Sequence, residues 1–124
     1  MNTTVQVGPY EVGLKPPLSF AIRWDLAMAM GAASSVPEKW RLRAAALGMC
    51  WRGEGAPRAS LQGVDFISYA GALLDELMSR GIRPAQVMAA STVAYRVVTD
   101  GLITDADVKA AQDFMNAQTP RLTG

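Results

Sequence analysis

The sequence predicts a mainly α-helical single domain: a compact bundle of about five helices with a short N-terminal β-hairpin. Three observations predict it. Apolar residues recur at three- and four-residue spacing in one segment after another, the period of a helix buried on one side. Most of these segments carry a readable start or stop, including Ser19, Ser35-Val-Pro-Glu38, Gly81 with Pro84, and Gly101. One stretch differs. Thr4-Val-Gln-Val, then Gly8-Pro9, then Tyr10-Glu-Val12 has the pattern of two strands around a turn. The 124 residues suit one domain over 1–124, with enough chain to bury a core. Half are hydrophobic and 19% are charged, a globular balance.

The hairpin, placed at 4–14, is marginal by itself and must lie on the helical body or pair with another chain. Pro16-Pro17 ends it. The helical body is placed at 19–116. Its first helix is expected from Ser19, an N-cap, to Ala33. Phe20, Trp24, Ala27 and Gly31 form one stripe on it, and Ile22, Leu26 and Met30 a second. Only Arg23 and Asp25 are charged, so this helix is sandwiched or covers a partner.

The second helix has the clearest start. Ser35-Val-Pro-Glu38 matches a capping box, and Pro37 sits in the first turn, where its missing N–H costs nothing. Val36, Trp40, Ala44, Leu47 and Trp51 share a face, and the stop falls near Gly53. A glycine-bearing loop, expected to be flexible, covers 53–64. A third helix runs from Asp65 to Arg80, with Phe66, Ala70, Leu73 and Leu77 along one side and Gly81 as its stop. The fourth runs from Pro84 to Asp100, with a stripe of Val87, Ser91, Ala94 and Val98. Thr104-Asp-Ala-Asp107 caps a short fifth helix ending near Asn116, and a tail over 117–124 is expected to fray.

Composition then restricts chemistry. There is no histidine, the commonest general base and metal ligand. Cys50, the lone cysteine, cannot form an internal disulfide, has no base partner in view, and is read as a small core residue in a reducing compartment. Asp75 and Glu76 are neighbours and so diverge by about 100° on a helix, which reads as two solvated groups rather than a metal site. No catalytic residue, cofactor or metal is expected. The net charge of +1 gives no strong pull toward nucleic acid or an anionic membrane. Arg80-Gly81-Ile82-Arg83-Pro84 joins two helices in the manner of a helix-turn-helix. The start of the following helix, Pro84-Ala-Gln-Val-Met, is poor in the polar and basic groups that read bases, so an ordinary helical hairpin is expected. The longest apolar run, 26–33, is too short to cross a bilayer, and no secretory signal opens the chain. A soluble, cytoplasmic protein is expected.

What remains is apolar surface. Trp24, Trp40 and Trp51 lie in the first two helices, and seven methionines are spread along the chain. Either set can fill a core or anchor a partner. Met28 and Met30 point to nearly opposite sides of the first helix, so they cannot share one core layer. That places the expected partner-binding surface on Phe20, Trp24 and Met28, with Trp40 and Leu47 beside them.

The order of features is similar to that of a known family. Tyr10-Glu-Val, then Pro16-Pro17-Leu-Ser-Phe-Ala-Ile-Arg, then Trp40-Arg-Leu-Arg-Ala-Ala-Ala-Leu-Gly-Met-Cys-Trp51 open the pattern. Tyr69-Ala-Gly-Ala-Leu-Leu-Asp-Glu-Leu-Met-Ser-Arg-Gly81 and Leu102-Ile-Thr-Asp-Ala-Asp-Val-Lys-Ala-Ala-Gln-Asp-Phe114 complete it. Over about 10–114 the chain resembles small tail assembly chaperones of long-tailed bacteriophages and prophages. The resemblance implies a nonenzymatic factor that coats the helical tape-measure protein in the host cytoplasm and is absent from the mature virion. Some members of that family also have a longer frameshifted form. The partners it implies are the tape-measure protein or other tail proteins; a homo-oligomer is also open. A structural virion component, such as a connector or tube-associated subunit, is the first alternative. A DNA-binding regulator and a cofactor-free enzyme follow.

Overall fold

In the computed structural model, strands β1 (Thr3–Val7) and β2 (Tyr10–Leu14) pair antiparallel, with Val5 opposite Val12 and Val7 opposite Tyr10. Gly8 opens the two-residue turn with φ +57°. Primed hairpin turns require that sign there, and glycine adopts it without steric cost. A third strand, β3 (Trp51–Arg52), adds to β2 with Leu14 opposite Trp51, giving the order β1-β2-β3. Two residues carry no periodicity, so this strand is invisible in the sequence. It welds the hairpin to the helical body, because it continues directly from the helix before it. The structure describes residues 3–102, 109–110 and 112–117.

Helices α1 (Phe20–Ala32), α2 (Val36–Cys50), α3 (Phe66–Ser79) and α4 (Pro84–Thr99) follow. Residues 109–110 and 112–117 are also helical. The expected cap of that segment, Thr104 to Asp107, lies outside the described residues, as does the tail from 118.

Local chemistry sets the helix starts. Ser19 Oγ accepts from the Ile22 N–H and Ser35 Oγ from the Glu38 N–H, each at 3.3 Å. The Glu38 carboxylate reaches back one residue further than a capping box requires, to the Ser34 N–H at 3.4 Å. Asp65 Oδ1 accepts from the Ser68 N–H at 2.7 Å. At the end of α3, Gly81 takes φ +81°, and the Gly81 and Ile82 N–H groups donate back to Met78 and Leu77 carbonyls, so the orphan acceptors are satisfied.

The centre of the fold is α2. It packs mainly against α3 and α4 and also meets α1 and β2. Leu42, Ala44, Ala45, Ala46, Leu47 and Cys50 are all buried, so its second half is enclosed on nearly every side. The single-face expectation for this helix fails for that reason, and Val36, in its first turn, is exposed. The alanine run permits the enclosure by letting neighbouring helices approach closely. At Gly48 the approach is closest: a Cβ there would lie 2.8 Å from Tyr69 Cζ and 2.9 Å from Leu73 Cδ2.

The expected helical hairpin of α3 and α4 is also corrected. Only four residues separate the two helices, yet each packs on α2 rather than closely on the other. They stand apart over the first half of α2, and the space between them is a groove.

Candidate functional site

Helix α1 presents two faces of opposite fate. Leu26 is fully buried, and Ile22, Ala29 and Met30 are half-buried. The outward face carries Phe20 (61% exposed), Trp24 (40%) and Met28 (54%), at positions i, i+4 and i+8. The Phe20 and Trp24 rings stack with centroids 6.0 Å apart and planes 21° apart. Leu18, just before the helix, is 98% exposed and extends the patch. Met28 and Met30 divide between solvent side and core side as their spacing requires.

A cationic strut holds α1 in place. Arg23 Nε donates to the Val98 carbonyl at 2.7 Å, and Nη2 donates to the Asp100 carbonyl at 3.0 Å. These are acceptors at the C-terminal end of α4, where the helix dipole also favours a cation. The strut uses the one basic residue of α1 and leaves the aromatic stripe unobstructed.

The groove between α3 and α4 is the second apolar feature. It has a volume of about 400 Å³ and a floor and walls made by Trp40 and Ala44 of α2, Leu74 and Met78 of α3, and Met88 and Ser91 of α4. Among the described residues Arg41 is the sole charged side chain in its lining. Arg43 lies over the Trp40 ring, 4.6 Å from its centroid, a cation–π contact that steadies the indole at the rim. Ser91 is buried, and its hydroxyl is the one buried side-chain polar atom without a hydrogen-bond partner among the described residues.

The five residues expected to form one partner-binding surface therefore separate. Phe20, Trp24 and Met28 make the α1 stripe. Trp40 lies in the groove, to which α1 contributes no lining residue. Leu47 is fully buried and leaves the site altogether. It shares a helical face with Trp40, but α3 and α4 close over the second half of α2 and not over the first. The groove itself was missed: its walls come from three helices whose splay is not a local property. The methionines were the available signal, since Met78 and Met88 both line it.

Polar chemistry elsewhere is structural. Cys50 is buried, and burial pushes its thiol up to about 12 against the pull of Arg52 and Arg23. Its Sγ faces the Ala94 carbonyl at 3.9 Å. Burial likewise raises the Tyr69 hydroxyl to about 12, with Cys50 and Glu76 adding to the shift. Glu76 ties the 53–64 loop to α3. Its carboxylate accepts the Arg58 N–H at 2.9 Å and the Ala59 N–H at 3.0 Å, and pairs with Arg80. Arg80 also donates to the Gly55 carbonyl, and Trp51 Nε1 donates to the Glu54 carbonyl at 2.9 Å. Burial acts to raise Glu76, but the two backbone donors and Arg80 outweigh it and hold the carboxyl below its ordinary value.

Among the described residues no three histidine, cysteine or carboxylate groups converge as metal ligands, and no helix is long and apolar enough to cross a membrane. No family model matches the chain, and no characterised protein or solved structure compared with it gives a match.

Proposed function

We propose that this protein is a nonenzymatic assembly chaperone of phage tails. It binds apolar helical segments of the tape-measure protein in the cytoplasm of the bacterial host and leaves before the virion matures. The observation that carries this reading is the α1 stripe: three large apolar side chains, two of them stacked aromatics, held outward on a helix whose other face is anchored in the core. Stacked aromatics standing in water leave hydrophobic free energy unrealised until a partner covers them. A regular stripe with i, i+4, i+8 spacing matches the ridges of another helix. Methionine in the stripe suits cargo of varied sequence, because its side chain adapts. The resemblance of residues 10–114 to tail assembly chaperones supplies the identity of the cargo.

The test is Trp24→Ala, read for fold and binding together. The variant should keep its circular dichroism and its melting cooperativity. Affinity for a tape-measure fragment should fall by about tenfold or more, as for a central aromatic anchor. Unchanged affinity would remove α1 as the docking face, and loss of fold would make Trp24 a packing residue.

One observation favours a second reading, a structural virion subunit. Among the described residues β1 is an edge strand of the sheet, with β2 on one side only, and an edge can accept a strand from a neighbour. Purified mature particles separate the two readings: a chaperone is missing from them, whereas a subunit is present at fixed copy number.

A further inference from the structure

The register of the sheet settles which backbone groups of β1 are free. A two-residue turn makes Val7 and Tyr10 exchange both backbone hydrogen bonds, and alternation along the ladder gives the same to Val5 with Val12 and to Thr3 with Leu14. The far side of β2 agrees. The Lys15 N–H donates to the Cys50 carbonyl at 3.0 Å, in step with Gly13 opposite Arg52, so the odd-numbered residues there face β3 and the even-numbered ones face β1. Thr4 and Gln6 therefore direct their N–H and C=O groups away from β2. Both residues are exposed, and among the described residues nothing bonds to those groups. We propose that this edge pairs with the same edge of a second copy of this chain, antiparallel about a two-fold axis through Val5, so that Thr4 of each copy exchanges both backbone hydrogen bonds with Gln6 of the other.

Charge, register and symmetry favour a second copy as the occupant. Thr3-Thr-Val-Gln-Val7 carries no charge, no proline and no bulge, the devices that keep edge strands apart. A neutral strand meets its own copy without like-charge repulsion, and its threonines and valines suit a ladder. In the two-fold register the outward groups match one for one, and Val5 lies beside Val5 on the face that packs against the helices. Next to the edge, Val93 and Val97 of α4 are half-buried and share a shallow depression with Thr3, so the joined sheet brings the second copy's α4 alongside apolar surface. The pairing consumes the edge of both copies at once, so assembly stops at the dimer instead of running on into a fibre. One short strand and one helix flank make a contact smaller than a permanent interface needs, which sets the dimer as weak and reversible. The inference does not depend on the tape-measure reading, because α1 presents a different surface. It takes the edge that a structural subunit would offer a neighbour and closes it between two copies.

Sedimentation velocity of the full chain over a concentration series tests it, with every variant checked for fold by circular dichroism. The wild-type chain should associate reversibly to a dimer and no further. Thr4→Pro removes an N–H that makes no bond within the chain, so the fold should stand while association weakens by about tenfold or more. If Thr4→Pro does not fold, charges replace it. Thr4→Lys with Gln6→Lys sets like charges opposite one another and should weaken association, whereas Thr4→Lys with Gln6→Glu sets opposite charges there and should preserve it. Val5→Cys reads the register. Opposed residues of a non-hydrogen-bonded pair lie about 4.5 Å apart at Cα, within reach of a disulfide, so mild oxidation should yield a covalent dimer. The native Cys50 is buried and does not compete. A wild-type chain that is monomeric at every concentration overturns the proposal, as does one that grows past a dimer. So does association that survives Thr4→Pro, that leaves Val5→Cys without a cross-link, or that is lost on Trp24→Ala, which would place the contact on α1.

Discussion

Replacing Gly48 by alanine should destabilise this protein, although helix propensity alone argues the reverse. Alanine in a helix interior gains about 1 kcal/mol over glycine. At Gly48 the new methyl group would lie 2.8 Å from Tyr69 Cζ and 2.9 Å from Leu73 Cδ2, and closer still to the Tyr69 hydroxyl. Both neighbours are buried, so neither can swing into solvent. Overpacking a filled core costs about 1–3 kcal/mol, and three simultaneous contacts below 3.0 Å place this site at or beyond the top of that range. After the propensity gain, the net loss is about 2 kcal/mol. At roughly 4 °C per kcal/mol for a domain of this size, the melting temperature should fall by roughly 8 °C. Gly71→Ala is the control: it lies inside α3, and beyond the helix's own backbone no described atom comes within 4 Å of the position its Cβ would take, so it should raise the melting temperature by about 4 °C. Thermal denaturation followed at 222 nm reads both variants. Tyr69→Phe in the Gly48→Ala background should recover part of the loss, because it removes the closest atom. A Gly48→Ala protein at least as stable as wild type would refute the close α2–α3 seam, and with it the position of the groove's floor.

Removing the Arg23 side chain should loosen α1 while leaving the core folded. Arg23→Ala deletes two hydrogen bonds to carbonyls at the end of α4, a loss of about 1–2 kcal/mol, and faster amide exchange should be confined to α1. The pH profile should be bounded on both sides. The folded-state pKa of Glu76 is lowered, so its contribution is complete above the ordinary value of 4.5 and is lost as pH falls through the lowered one. Cys50 and Tyr69 are raised to about 12, so their neutral forms favour the fold below their ordinary values of 9.0 and 10.0, and that advantage is lost as pH rises toward 12. Urea midpoints measured across pH should fall at both ends, and Glu76→Gln should flatten the acid limb. Cys50 should react with iodoacetamide only as fast as the protein unfolds; rapid labelling of the native chain would contradict its burial.

How much was legible in the sequence follows from the range of the interactions involved. Helix starts at Ser19, Ser35 and Pro84, the stop at Gly81 and the hairpin turn at Gly8 are set by contacts within a few residues, so they can be read along the chain. The opposite faces of α1 were equally legible, because a helical period fixes which side chains point together whatever lies around them. Which face would be covered was not a local question. Trp40 and Leu47 share a face of α2, yet one lies in a groove and the other in the core, because the packing around α2 encloses its second half and leaves a groove over its first. β3 exists only where the end of α2 meets β2. By itself the sequence determined the hairpin, the four helices α1 to α4 and their apolar stripes, but not β3. The tertiary structure alone decided which stripes are enclosed, since burial depends on distances between segments far apart in the chain.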